Sequence, residues 1–398
     1  MNKLFSIFRT HENFMIVVAL SAAVAAGIFL RFYNLELQGL WVDEIHTLGP
    51  ALHAYSLSDA LWNYVVISPT PPLYYYFMIF WTELFGYDEY LLRLPATISG
   101  VLVIAVYWFG LNKIFTKQIA ATATIFMAMS WPAVYYSQEV RTYSTLLLFT
   151  TWAAVIWMTV MKDIEAAPAK KWGWMLFASI LASMSHPFGF MMTASMFFYL
   201  FLVSLKTKAV AARTFICGSI LTGVYVGWAI INLTGLGWLF VEKNTFYSPG
   251  LTFFLDIGAF LFHHPVPAFL IFGGVVLLGG ARYFGKTLIV TRNRDWTAPE
   301  MYLPLIMAVP FFIVFTVSQF QSFMYSRYMI VFLPFIYCFF AQIISARKWN
   351  SKAGAPVAAV SLVFLASFWI FPDHYVVEKP QTREMIRYVL DERTDGDV

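Results

Sequence analysis

Charge is scarce in this sequence. Of its 398 residues, 12% are Asp, Glu, Lys or Arg, where a soluble domain carries roughly 25%. That shortage excludes a disordered chain, a nucleic-acid binder and an ordinary cytosolic enzyme. Cysteine is scarcer still. Cys217 and Cys338 both sit inside apolar runs, which argues against a disulfide framework or a cysteine metal centre. Glycine-rich phosphate loops, nucleophile elbows, Cys/His zinc spacings and long internal repeats are also missing.

What is abundant is apolar surface. Hydrophobic residues make up 60% of the chain and aromatic residues 19%, so its main solvent is lipid. Eleven runs approach the length of a membrane span: 14–30, 95–112, 119–136, 143–161, 172–185, 188–205, 213–231, 265–281, 301–318, 327–345 and 355–371. The first runs on to Phe32 and many others follow, so it reads as an uncleaved helix rather than a signal peptide. The run 172–185 is short, but Trp172 and Trp174 can anchor it at an interface. Pro72–Phe85 is apolar over only 14 residues. As a helix it would reach about 21 Å, short of a bilayer core of roughly 30 Å.

The positive charges choose between the two topologies. With eleven spans and a cytoplasmic N-terminus, 17 of the 26 Lys and Arg residues fall in inner loops. Counting Pro72–Phe85 as a span would move 15 of them outside, against the positive-inside rule. The segment is therefore expected at the outer interface, within a long first outer loop, residues 31–94. The acidic residues show the reverse bias, with 17 of 22 outside. Seven of these lie in the first outer loop and seven in the C-terminal tail. Any chemistry is expected on the outer face.

The first outer loop carries Trp41-Val42-Asp43-Glu44-Ile45-His46. If a helix starts here, Asp43 and His46 share a face and Glu44 points elsewhere. Asp43 reads either as a general base at the mouth of a cavity or as a helix cap, with Glu44 favouring the positive helix end. The second outer loop carries Tyr135-Tyr136-Ser137-Gln138-Glu139-Val140-Arg141-Thr142-Tyr143. It is either a polar site flanked by aromatics or an aromatic belt with one Glu139–Arg141 pair. His186 follows Ser185 at a helix end, and His263-His264 closes the fourth outer loop, about 232–264. The fifth carries Tyr325-Ser326-Arg327-Tyr328. Arg327 suits a phosphate at the interface or a headgroup reached by snorkelling. Arg93, in Leu92-Arg93-Leu94-Pro95, is expected to be structural.

Taken in order, these segments resemble the GT-C superfamily of membrane glycosyltransferases. The branch is that of the protein O-mannosyltransferases and the aminoarabinose transferases of lipid A. The segments are Trp41-Val42-Asp43-Glu44, Pro71-Pro72-Leu73-Tyr74-Tyr75, Leu92-Arg93-Leu94-Pro95-Ala96, Ser137 to Tyr143, and Ser326-Arg327-Tyr328. The resemblance covers about residues 1–370. It implies an all-α polytopic membrane protein with a GT-C fold, about eleven transmembrane helices and interfacial helices in the first outer loop. It also implies a sugar donor carried on polyprenyl phosphate and an acceptor (lipid, glycan or protein) at the outer membrane surface.

On that resemblance Asp43 is the catalytic base, with Glu44 beside it raising its proton affinity. Arg327, Arg141 and Tyr328 would bind the donor phosphate. His46, Gln138, Glu139, Tyr143, His186 and Tyr325 would line the substrate cavity. A single-sugar lipid donor explains why no nucleotide-binding signature is present. The sequence departs from the aminoarabinose transferases where they place a Glu-Lys pair before the double proline, because Pro69 and Thr70 stand there. A metal like theirs is therefore disfavoured and no cofactor is expected. His46, His186, His263 and His264 are the residues that would keep a divalent metal in play.

Residues 1–371 would form the membrane domain and 372–398 a short polar outer tail. Residues 382–390 of that tail have a helical pattern. In related transferases such a helix leads to a soluble domain, so acceptor choice would fall to the outer loops or to a partner protein. The alternative reading is a lipid or sugar transporter, which would need ionisable residues near mid-membrane. The runs contain almost none.

Overall fold

The computed structural model describes residues 2–52, 56, 58–59, 61–62, 70–205, 207–236, 250, 252–320 and 324–374. Among them the regular structure is helical throughout. The tail helix expected at 382–390 and the position of Pro69 lie outside the described residues.

Helix α1 is Asn2–Phe32, α2 is Val42–Leu52 and α3 is Leu73–Phe85. Next come α4, Glu89–Ile114, α5, Lys117–Ala128, and α6, Trp131–Tyr135. Then α7 is Tyr143–Lys162, α8 is Ala169–Ser185, α9 is Pro187–Ser204 and α10 is Lys208–Leu236. The series ends with α11, Phe253–Phe262, α12, Pro265–Arg292, α13, Pro299–Val317, α14, Ser326–Ser345, and α15, Gly354–His374. Each expected run except 119–136 falls on a single helix. Among the described residues eight helices are long and apolar enough to cross a membrane; α5, α8 and the apolar part of α15 are shorter.

Two departures have local causes. The run 119–136 is not one helix, because it stops at Ala128 and restarts at Trp131. Pro132 cannot donate in a helical ladder, and its ring would clash with the Ala128 carbonyl. Ser130 caps the new helix, accepting from the Ala133 amide at 3.4 Å. The carbonyls left at the break turn to Arg31, whose Nη1 donates to Ala128 O at 2.8 Å. The second departure is α11, a ten-residue helix inside what reads as the fourth outer loop. Residues 237–249 of that loop lie outside the described residues.

Helix α3 is the segment that the charge count kept out of the bilayer. Tyr74, Tyr75, Met78 and Ile79 are buried on one side, while Phe77, Phe80 and Leu84 are exposed on the other. An exposed aromatic face on a helix of this length suits a membrane interface. The Trp81 indole donates to Leu91 O at 2.8 Å and ties α3 to the start of α4. That start is capped by Asp88, which accepts from the Tyr90 and Leu91 amides.

The core is aromatic. Trp157 is fully buried, donates to Met196 O at 2.9 Å, and packs edge-on against Tyr199, Tyr302 and Phe335. Helices α12 and α14 cross at Gly279, where a Cβ would lie 1.6 Å from Ile343 O. Loops that the charge count put on one side do meet at one end: Arg93 meets Glu44, Arg141 meets Asp43, and Thr142 donates to Ser185 O. At the other end Lys162 meets Ile114 O, Thr207 meets Glu165, and Tyr199 meets Trp296 O. Gly279→Ala is expected to lower stability by at least about 1–3 kcal/mol through overpacking, read as an earlier thermal melt in detergent. An unchanged melt would mean that the crossing is looser than described.

Candidate active site

Helix α2 presents the first loop's acidic residues, and the two adjacent carboxylates take different directions. Glu44 is the third residue of the helix, and its Oε2 accepts from the Trp41 amide at 3.2 Å. That is the reciprocal half of a capping box. Its Oε1 accepts from the Val140 amide at 2.8 Å. Both oxygens also meet Arg93: Nε donates to Oε1 at 3.2 Å and Nη2 to Oε2 at 3.1 Å. Arg93 donates further to the carbonyls of Leu35, Gln38 and Gly39. Glu44 and Arg93 are both sealed from solvent. The cap role read for Asp43 therefore falls to Glu44, which holds the loop together instead of sharing a face with Asp43. Arg93 is structural, as expected.

Asp43 is left facing the open side. Its Oδ2 lies 3.7 Å from an Arg141 guanidinium nitrogen and 3.5 Å from one of Arg327. One carboxylate between two guanidinium groups leaves a net positive charge. Arg141 is fixed from below, donating to Asp43 O at 2.7 Å and to Thr47 Oγ1 at 3.2 Å. Thr47 was not singled out from the sequence. It stands one helical turn after Asp43 on the same face, and that spacing is its only signal.

Aromatic rings wall the pair. The Arg327 guanidinium lies 4.8 Å from the Tyr325 ring centroid and 5.8 Å from that of Tyr328, and Arg141 lies 5.7 Å from that of Tyr143. These are cation–π distances. His186 stands between the rings of Tyr328, at 4.6 Å, and Tyr143, at 6.0 Å. It caps α9, its Nδ1 accepting from the Phe188 amide at 3.2 Å. Burial foremost, with Arg141 and Arg327 nearby, lowers its pKa to about 3, so it stays neutral. With Nδ1 accepting, the neutral ring carries its proton on Nε2.

The remaining expected residues are placed differently. Gln138 does not offer its amide to a cavity. Its Nε2 donates to the carbonyls of Leu30, Arg31 and Tyr33 and closes the end of α1. Glu139 is buried, and its carbonyl accepts from the Arg141 amide at 2.7 Å. His46 is exposed. His263 packs on Trp131, centroids 4.3 Å apart, and His264 caps the start of α12. Among the described residues no group of three or more His, Cys, Asp or Glu is arranged to hold a metal ion. Thr70 donates to the Tyr75 hydroxyl at 2.7 Å.

This helical architecture has solved counterparts. It is similar to apo ArnT from Cupriavidus metallidurans, with a TM-score of 0.58 and 18% identity over 82% of this chain and 59% of that one. The same protein bound to undecaprenyl phosphate gives 0.56 and 18% identity over 82% and 60%. Archaeal oligosaccharyltransferase AglB from Archaeoglobus fulgidus, in complex with an inhibitory peptide and a dolichol-phosphate, gives 0.56 and 16% identity over 96% and 58%. The chain thus spans about three fifths of the length of these structures. Its fold is the GT-C fold. Residues 69–231 also match the dolichyl-phosphate-mannose-protein mannosyltransferase family, so the resemblance read from the motifs holds. That match includes Arg93, Arg141 and His186, while Asp43 and Arg327 lie outside it. No curated protein matches the sequence.

Breaking the buried pair strands a charge, so Arg93→Ala is expected to cost about 3–5 kcal/mol, measured by thermal or denaturant unfolding. A loss below about 1 kcal/mol would remove Arg93 as the anchor. His186 adds an acid sensitivity. Its pKa in the folded protein lies below its unfolded value near 6.5, so the unfolded chain binds the extra proton first. Stability from this group is present above about pH 6.5 and falls by roughly 1 kcal/mol per pH unit towards its folded pKa. In His186→Gln that slope should be shallower by this amount. Parallel slopes for the two proteins would refute the neutral, buried imidazole.

Proposed function

We propose that the protein is a glycosyltransferase of the GT-C type. It moves a sugar from a polyprenyl-phosphate carrier to an acceptor hydroxyl at the outer face of the membrane. The observation that carries this reading is the position of Asp43 between Arg141 and Arg327 at one end of the bundle. A base beside two fixed cations is what transfer from a lipid phosphate requires. Support also comes from the relatives: ArnT has been solved with undecaprenyl phosphate and AglB with a dolichol-phosphate and a peptide. The bias of 17 of 26 Lys and Arg residues to the alternate loops favours a cytoplasmic N-terminus and an outward-facing site.

In the proposed step Asp43 Oδ2 accepts the acceptor's hydroxyl proton as its oxygen bonds the anomeric carbon. The bond from that carbon to the phosphate oxygen breaks, and its electron pair leaves with the lipid phosphate. Arg327 and Arg141 hold that group and offset its growing charge. Tyr143, Tyr325, Tyr328 and His186 frame the reacting sugar and exclude water. Glu44 is a positioning residue, because Arg93 and two backbone amides engage its oxygens. The reading assigns no metal to the chain. A transporter would need ionisable groups at mid-span. Among the described residues the buried Arg and Glu side chains, Arg31, Glu44, Arg93, Glu139 and Glu300, lie near helix ends or in loops, which favours the enzyme.

The test is sugar transfer from synthetic polyprenyl-phosphate sugars by folded, full-length protein. Asp43→Asn should lose about 10²–10⁴-fold in turnover while still binding donor. Arg327→Ala should weaken donor binding and lower turnover about 10²–10³-fold. EDTA should leave the rate unchanged. Normal turnover by Asp43→Asn would refute the base. A rate lost to EDTA and restored by a divalent ion would refute the metal-free assignment.

A further inference from the structure

A second feature lies about 30 Å away along α4, at the opposite end of the bundle, by a rise of 1.5 Å per residue from Arg93 to Lys113. There a groove of about 390 Å³ runs between α4, α7 and α8. Its walls are apolar, with Phe109, Trp152 and Ile156 among them, and its polar end carries Lys113 and Lys171. Phe109 is 63% exposed, so the groove opens sideways to the surrounding lipid.

Among the described residues these lysines are not balanced by acid. Lys162 closes the end of α4, its ammonium donating to the carbonyls of Lys113 at 3.2 Å and Ile114 at 3.1 Å. That offsets the negative end of the helix. Lys113 and Lys171 are left over. Among the described residues neither forms an ion pair with a carboxylate. Lys171 is half-buried, where a lysine reaching only for bulk headgroups would extend into them. A larger groove, about 890 Å³, lies between α9 and α13, but its lining includes Arg294 beside Asp295. That mouth carries no excess charge and selects no headgroup.

We propose that the groove between α4, α7 and α8 binds one anionic glycerophospholipid. An acyl chain lies along Phe109 and Trp152, and the lipid phosphate sits between Lys113 and Lys171. Two cations at the end of an apolar groove between helices provide both halves of such a site. The proposal is independent of the reaction at Asp43, because it concerns the opposite end of the bundle.

The test uses full-length protein in lipid-free detergent, titrated with phosphatidylglycerol or phosphatidylcholine of the same chains. Native mass spectrometry reads the lipid retained per chain. One phosphatidylglycerol should be retained, at least about tenfold more tightly than phosphatidylcholine. Lys113→Gln and Lys171→Gln should each weaken it roughly fivefold, as expected for one lysine near an anionic headgroup. Lys117→Gln, outside the groove lining, should leave retention unchanged. Ala105→Trp should fill the groove and abolish it. Variants are first compared by melting without lipid. If Lys171→Gln or Ala105→Trp melts early, Lys113→Gln, on an exposed side chain, carries the test. Equal retention of the two lipids would overturn the proposal, as would wild-type affinity in Lys113→Gln. Displacement by equimolar polyprenyl phosphate would overturn it too and give the groove to the donor lipid.

Discussion

The guanidinium of Arg93 is held out of water against the carboxylate of Glu44, and the rest of the site hangs from that contact. A buried ion pair adds little net stability, because desolvation offsets most of the attraction, but losing one partner leaves the other charge stranded. Here the pair does more than neutralise. Arg93 gathers three carbonyls of the chain between α1 and α2. Glu44 gathers the amide just before its own helix and one of the second loop. A polar loop at a membrane surface thereby gains one geometry, and Asp43, the adjacent residue, is turned outward by it.

Arg31 has the matching role a layer deeper. It is fully buried and takes the Ala128 carbonyl, which Pro132 leaves without a helical partner. Gln138 takes the last carbonyls of α1 in the same way. Irregular backbone near a bilayer is tolerated only where such groups are satisfied inside the protein. The break before Trp131 and the end of α1 therefore depend on these side-chain donors, and Gln138 ties the second loop to the start of the first. Arg141 and Arg327 come from different loops and still reach one carboxylate.

Much of this was legible from residue order. Hydropathy located every long helix, and the lysine and arginine count kept Leu73–Phe85 apart from the spans. The break before Trp131 was also visible as Ser-Trp-Pro, but a continuous apolar run hid it. Helix α11 escaped because a ten-residue, mostly apolar segment with Asp256 inside it looks like any short hydrophobic stretch in a loop. For the site, Asp43, Arg141 and Arg327 each stood out singly. Their convergence did not, since it depends on contacts between residues nearly 100 and 300 positions apart. Adjacent carboxylates look alike in a sequence, so the division of labour between Asp43 and Glu44 needed the Arg93 contact. Gln138 looked like a cavity residue because a glutamine that closes a distant helix leaves no local signal.

The account depends on Asp43 and its two arginines forming one reaction centre. The most direct measurement is a structure of the Asp43→Asn protein with a polyprenyl-phosphate sugar bound. The account requires the phosphate within hydrogen-bond reach of Arg327 and Arg141, with the anomeric carbon facing residue 43. A phosphate bound elsewhere, with the sugar turned away from residue 43, would contradict it and leave only the fold in place.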